Sequence, residues 1–339
     1  MSADCAARPP ILSVRQQAPD RAAIAEAARI LRAGALAAFP TETVYGLGAD
    51  ATSAAAVARV YKVKGRPSFN PLIAHVSGLE AAFEQGVFSP EAEILARRFW
   101  PGALTLVLPL ARGATVCALA RAGLDTIALR VPSHPAALDL LKAAALPLAA
   151  PSANRSGRVS PVTAAHVADD LGGDVDIILD GGRCPLGVES TIIACLDGRP
   201  RLLRPGGLPR EAIESALGSR LAAPAESADI RSPGSLASHY APTAAMRLEA
   251  RELGEAEAGL DFGATFPRGA MVRDLSPTRD LEEAAANLFS YLRELDALGP
   301  TCIAVAPVPA QGLGEAINDR LRRAAAPRKP EMPRPHMPR

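Results

Sequence analysis

Residues 61–72 read YKVKGRPSFNPL, which places Lys62, Lys64 and Arg66 within five positions. Cations this close together can neutralise a compact polyanion such as a polyphosphate. They are also what a solvated face at a helix end looks like. Three details favour a site. Gly65 takes the cations off the helix into a loop, and Pro67 and Pro71 fix the backbone so that side chains point in set directions. LIAHV (72–76) then reads as a buried strand, which puts the loop at a sheet edge, where α/β proteins tend to hold ligands.

Other polar groups recur beside turns. Pro40–Gly48 (PTETVYGLG) is either a polar loop with a structural Tyr45 or a hydroxyl-lined pocket wall, and this stretch alone leaves both readings open. His75 lies inside an apolar strand, the usual place of a satisfied core histidine unless the strand lines a cleft. Arg130 ends TIALRV, where it can clamp a carboxylate bidentately or form a surface ion pair. In PSAN, after the apolar run LPLAA, Ser152 and Asn154 project to one side of an extended segment. They suit phosphate or nucleoside hydrogen bonding, and they also suit a plain turn. DGGRCPLGVEST (180–191) and Arg204-Pro205-Gly206-Gly207 again set polar groups beside glycines that permit close backbone approach.

The chain holds no GxxxxGK[ST], no GxSxG and no HExxH, and Gly312-Leu313-Gly314 lacks the third glycine of a dinucleotide fingerprint. Lys, Arg, Ser, Thr and Asn in loops without a triad indicate binding and polarisation of a polyphosphate rather than a protein nucleophile.

Strand-length apolar runs alternating with helical patterns must position these groups. Helices are expected at 22–31, 54–62 (capped by Ser53), 90–100, 135–145 and 161–171, the last with Ser160 as cap and Pro161 at its first position. Strands are expected at 36–39, 72–76, 104–108, 126–131, 146–150, 176–179 and 191–196. This is an α/β or α+β pattern. A Pro/Ser/Ala/Gly-rich stretch near residue 218 reads as a linker, followed by a smaller α/β pattern with strands at 246–248 and 302–306 and helices at 281–298 and 317–325. With 48% hydrophobic but only 4% aromatic residues, the cores must be built from Ala, Val, Leu and Ile. A net charge of +1 excludes a whole-molecule attraction to nucleic acid, so any anion site is local. The five cysteines form no CxxC pair, which speaks for reduced thiols, and neither a signal peptide nor a membrane-spanning run is present. A cytoplasmic location is expected.

Together, PTETVYGLG, KVKGRP followed by NPL and His75, LRVPSHP, APSAN, DGGRCPLGVESTI and LLRPGG resemble, in order, the YrdC-like family of threonylcarbamoyl-AMP synthases. SHYAP and GLGEAINDRLRRAA resemble its long, two-domain form, and the resemblance covers about residues 18–325. It implies a YrdC-like twisted open-sheet domain at 15–217, a linker at 218–243 reaching over the active site, and a Rossmann-like α/β domain at 244–326; the proline-rich residues 327–339 read as a disordered tail. The implied reaction joins L-threonine, bicarbonate and ATP to give threonylcarbamoyl-AMP and pyrophosphate. The product serves N6-threonylcarbamoylation of adenosine 37 in tRNA, through separate transfer proteins. Mg²⁺ is expected with ATP. Carried over by motif, Lys62 and Arg66 are the catalytic cations on the phosphates, with Asn70, Thr126, Ser152, Asn154, Ser160, Arg204 and Tyr240 completing the ATP site. Thr43, His75, Arg130, Ala150 and Ser190 hold L-threonine, with Arg130 on its carboxylate. Lys64 receives no contact and reads as a solvated neighbour. Two other readings stand beside this one: an RNA-binding module, disfavoured by near-zero charge and few aromatics, and a related carbamoyl-transfer enzyme with another acceptor.

Overall fold

The computed structural model describes residues 11–13, 20–196, 198–222 and 240–327. Most of the expected linker, 223–239, and the expected tail beyond residue 327 lie outside the described residues. The chain runs β1 (Ile11–Ser13), α1 (Arg21–Arg32), β2 (Ala37–Phe39), β3 (Gly46–Asp50), α2 (Ala54–Lys64), β4 (Ile73–His75), α3 (Leu79–Phe83) and α4 (Pro90–Phe99). It continues through β5 (Leu104–Pro109), β6 (Thr126–Arg130), α5 (Pro135–Ala144), β7 (Leu148–Ala149), α6 (Ala164–Leu171), β8 (Ile177–Asp180), β9 (Thr191–Ala194), β10 (Arg201–Arg204) and α7 (Arg210–Leu217). A second region follows with β11 (Ala245–Arg247), β12 (Glu257–Asp261), β13 (Val272–Asp274), α8 (Leu281–Ala297), β14 (Cys302–Val305) and α9 (Leu313–Ala325).

The first ten strands form one mixed sheet in the order β1-β8-β2-β3-β7-β4-β6-β5-β9-β10. The last four form a parallel sheet, β11-β14-β12-β13. Strand β4 is an interior strand, so the cationic loop feeds the middle of the sheet rather than its edge.

Helix α1 starts where the Asp20 carboxylate accepts from the Ala22 and Ala23 amides. Its small side chains Ala27 and Ala28, with Leu31, pack with Ala137, Leu140 and Leu141 of α5 over Phe39, Leu148 and Leu179 on one sheet face. Alanine at these contacts lets the helices approach the sheet closely. The opposite face is buried in a larger core that runs without a break into the second region, taking in Val57, Leu95 and Val167 as well as Leu288, Phe289, Ile317 and Leu321. A third apolar set, Ile73, Val107, Ala128, Ile192 and Ala194, floors the part of the sheet that carries β4, β6, β5 and β9. Among the described residues no helix is long and apolar enough to cross a membrane.

Several boundaries depart from the sequence reading. Helix α6 is capped by the Thr163 hydroxyl, which accepts from the His166 amide, so it starts three residues after Pro161 and the Ser160 side chain is released for other use. Strand β3 forms within the glycine-punctuated PTETVYGLG, where Gly48 is needed because a Cβ would lie 2.7 Å from the Phe39 ring. Helix α9 begins at Leu313 rather than 317.

Candidate active site

The floor of the site follows from strand register. Strands β4 and β6 are parallel, with Ile73 opposite Ala128 and His75 opposite Arg130. Alternation puts these four side chains on one face, two apolar and then two polar toward the strand ends. Arg130 donates from Nη2 to Glu42 Oε1 (2.6 Å) and from Nε to the Gly102 carbonyl (3.3 Å), while the Ser133 amide donates to the other Glu42 oxygen (3.0 Å). This buried pair fixes the guanidinium plane, and no acceptor among the described residues takes its Nη1 edge. His75 packs edge-on to Phe39 with ring centroids 6.4 Å apart, and its Nδ1 has no partner among the described residues. Burial, reinforced by Arg130, pushes its pKa down to about 3, so the imidazole is neutral.

Two loops form the next wall. The Thr41 hydroxyl spends its proton on the Val44 carbonyl (2.7 Å), so in the 2.8 Å contact between Thr41 and Thr43 it is Thr43 that donates. Thr43 Oγ1 is thereby left with lone pairs only. The amides of Leu47 and Ala153 donate to the carbonyls of Pro151 (2.7 Å) and Tyr45 (2.8 Å), which locks PTETVYG to PSAN.

The cations divide by helix phase. Gly65, at φ 62°, ends α2 in the left-handed region, and the Arg66 amide bonds back to the Tyr61 carbonyl. Arg66 is buried, donating to the carbonyls of Asn70 (3.2 Å) and Pro71 (2.9 Å). Lys64 lies on the buried face of α2 with Ala56, Val57, Val60 and Tyr61. Its Nζ donates to the carbonyls of Ser152 and Asn154, both at 2.5 Å. Lys64 is therefore the clasp of the PSAN loop and not a solvated neighbour. Burial, then Arg66, hold its pKa well below the ordinary lysine value. Lys62, half a turn away, is exposed and does not line the cavity.

The last wall joins GVEST to RPGG. A Cβ on Gly206 would stand 2.4 Å from the backbone of residues 189–191, so only glycine permits this approach. Arg204 donates to the Ser190 carbonyl (2.8 Å from Nη2), and the Ser190 hydroxyl meets that of Thr105 (2.8 Å). Glu189 accepts from Ser160 Oγ (2.6 Å) and from Arg320 Nε of α9 (2.7 Å). Burial raises its pKa, but Arg320, Arg204 and the Ser160 hydroxyl outweigh burial and leave it at about 2. Tyr240, at φ 62° and buried, stacks on Phe289 (5.5 Å, 25°) with the Arg320 guanidinium 5.3 Å from its ring centre.

Thr43, Arg66, His75, Arg130, Ala150, Ser152, Ser190, Arg204 and Tyr240 line one narrow, partly enclosed cavity of about 50 Å³, together with Glu189 and the apolar residues Val44, Leu72, Ile73 and Pro151. All five residues expected to hold threonine are among them. Five expected ATP ligands are not. Lys62 faces solvent, and Thr126 sits at the end of β6 opposite Arg130. Asn70 and Asn154 lie behind the wall, where Asn154 Nδ2 donates to the carbonyls of Arg155 and Arg158 (both 2.8 Å). Ser160 reaches the cavity only through Glu189. Sequence reasoning missed Glu189 and Arg320. GVEST drew notice for its glycine and hydroxyls, and the partner of its glutamate lies 131 residues away.

Three guanidiniums and one carboxylate around a partly enclosed, half-apolar cavity in an α/β fold suit a small anionic ligand. Comparison with known proteins narrows this. Residues 29–206 match the Sua5/YciO/YrdC family described as "Telomere recombination", and residues 208–326 match "Threonylcarbamoyl-AMP synthase, C-terminal domain". The threonylcarbamoyl-AMP synthase of Pyrococcus abyssi is 42% identical over 326 residues, covering 88% of this chain and 93% of that protein. The protein of the same name from Bacillus subtilis is 42% identical, with 89% and 92% covered. The crystal structure of P. abyssi Sua5 complexed with L-threonine superposes with a TM-score of 0.86 at 41% identity, covering 93% of this chain and 97% of that one. The chain belongs to the threonylcarbamoyl-AMP synthase family, in its two-domain form, and is an enzyme.

Proposed function

We propose that the cavity joins L-threonine, bicarbonate and ATP into threonylcarbamoyl-AMP, with release of pyrophosphate, for threonylcarbamoylation of adenosine 37 in tRNA. One observation carries this reading: the residues expected to hold threonine, Arg130 among them, and two further guanidiniums suited to phosphate, Arg66 and Arg204, line the same cavity. A relative with this fold binds L-threonine.

Threonine enters with its carboxylate on the open Nη1 edge of Arg130, which Glu42 holds in plane. The lone pairs of Thr43 Oγ1 accept from its amine or hydroxyl. The threonine nitrogen attacks bicarbonate carbon, a C–N bond forms and water leaves, giving N-carboxy-threonine. A carboxylate oxygen of that carbamate then attacks the α-phosphorus of ATP, and the bond to pyrophosphate breaks. The second step needs no base, because the nucleophile is already an anion. It needs alignment and positive charge, supplied by Arg66 and Arg204 from opposite walls. Ser152, clasped by Lys64, completes the nucleotide wall. Tyr240 covers the cavity and keeps water from the mixed anhydride.

Magnesium is expected to arrive on the phosphates of ATP. The donor set does not fit an ion held by the protein, since both oxygens of Glu189, the carboxylate in the lining, are engaged by Ser160 and Arg320. No step above is routed through it.

The test is substrate omission. Pyrophosphate release should require threonine, bicarbonate and ATP together. Release that persists without threonine rejects the proposal.

A further inference from the structure

The sequence leaves the role of the second region open. That region sends one charged side chain to the wall of the cavity. Arg320 of α9 is fully buried, and its Nε donates to Glu189 at 2.7 Å. Its Nη1 donates to Asp319 (2.6 Å), which Arg323 holds in turn (3.1 Å), so the guanidinium is braced on its own helix. Its guanidinium carbon lies 5.3 Å from the centre of the Tyr240 ring, which also stacks on Phe289 of α8. The other ion pairs between the regions, Arg293 with Asp170 and Arg210 with Glu315, do not touch the cavity. Glu189 and Tyr240 both line it.

A carboxylate in the wall of a polyphosphate site works against binding unless its charge is matched. The groups facing Glu189 are Ser160, Arg204 of β10, Lys64 of α2, Tyr240, and Arg320 with Asp319 of α9. Arg204 is held on the Ser190 carbonyl and belongs to the ligand side of the wall, and Lys64 is committed to the PSAN loop. That leaves Arg320 to match Glu189.

We propose that Arg320 is a positioning residue of the reaction: it cancels the Glu189 charge and clamps Tyr240, so that ATP affinity depends on the docked second region. This rests on the cavity being the adenylate-forming site.

The experiment measures KM for ATP and kcat in the full chain with Arg320→Met, Arg320→Lys, Glu189→Gln and the double variant Glu189→Gln/Arg320→Met. Removing one partner of a buried pair exposes the other charge, so Arg320→Met should raise KM for ATP about tenfold or more, with a smaller change in kcat. Arg320→Lys keeps the charge but loses the fork to Glu189 and Asp319 and the contact with Tyr240, so its KM for ATP should fall between those of wild type and Arg320→Met. The double variant removes the unmatched charge and should recover most of the loss. A purely structural role predicts the reverse, a double variant at least as impaired as Arg320→Met. If Arg320→Met does not fold, the double variant decides, since a tenfold rise in its KM for ATP overturns the proposal. An unchanged KM in Arg320→Met also overturns it. Arg66→Ala and Arg130→Ala run alongside: if they retain full activity, the assignment of the site has failed; if they lose it while Arg320→Met does not, the role of Arg320 alone has failed.

Discussion

Replacing Lys64 should damage the enzyme where replacing Lys62 should not, although the sequence favours the opposite. Lys64→Met keeps the aliphatic stem and removes the ammonium that bonds the carbonyls of Ser152 and Asn154, leaving Ser152 only the bond from the Asn154 amide (3.0 Å). The Asn154 residue is fully buried and Ser152 partly so. Even a neutral lysine amine carries a proton for each carbonyl, so both bonds are lost whichever form is present. An unsatisfied buried acceptor costs about 1–3 kcal/mol, and a half-exposed one costs less because water replaces the donor. With Ser152 still bonded to the Asn154 amide, the loss falls mainly on Asn154 and comes to about 2 kcal/mol. For regions of this size each kcal/mol moves Tm by about 2–4 °C, which predicts a fall of about 4–8 °C by calorimetry. Because the same bonds aim Ser152 into the cavity, KM for ATP should rise at the permissive temperature. Lys62→Met, on an exposed face, should shift stability by no more than about 0.5 kcal/mol and leave KM for ATP within about threefold. A Tm unchanged by Lys64→Met, or a large KM rise in Lys62→Met, would refute the clasp and restore Lys62 as the phosphate ligand.

Other outcomes follow from the same geometry. Arg130→Ala should raise KM for threonine at least about tenfold and also leave Glu42 buried without its partner; adding Glu42→Gln should recover thermal stability but not threonine affinity. Gly206→Ala drives a Cβ to 2.4 Å from the 189–191 backbone and should cost about 1–3 kcal/mol or more along with activity, whereas Gly207→Ala, whose near contacts at 3.1 and 3.2 Å are side-chain methyls, should be tolerated. His75 has a folded pKa of about 3 against an ordinary value of 6.5, so the unfolded chain takes the proton first. Its contribution to stability is complete above pH 6.5 and is lost as pH falls toward 3, with a slope of up to about 1.4 kcal/mol per pH unit. Urea midpoints across that range should fall less steeply in His75→Asn than in wild type; equal slopes would contradict a buried neutral imidazole.

The comparison of Lys62 with Lys64 also marks where the sequence was legible. The cationic cluster and its turn were readable, yet which cation turned inward was a question of helix phase. The answer lay in the apolar positions 56, 57, 60 and 61, whose spacing continues to 64 and skips 62. Ser160 misled because Ser-Pro is a good helix start, but Thr163 offers an equal cap three residues on and wins once Glu189 engages the Ser160 hydroxyl. The threonine side of the cavity was easier. His75, Arg130 and Ala150 end strands or follow them directly, so register fixes them. The Glu189–Arg320 pair was beyond local reading, because a buried glutamate in this wall makes sense only beside a cation that arrives from a helix of the second region.

The central claim is that this one cavity unites three substrates. The direct measurement is incorporation of label from ¹⁴C-bicarbonate into an acid-labile adenylate, with threonine and ATP each omitted in turn and with Arg66→Ala and Arg130→Ala in place of wild type. The account predicts labelled threonylcarbamoyl-AMP only when all three substrates are present, with loss in both variants. Label that forms without threonine, or undiminished product from both variants, would contradict it.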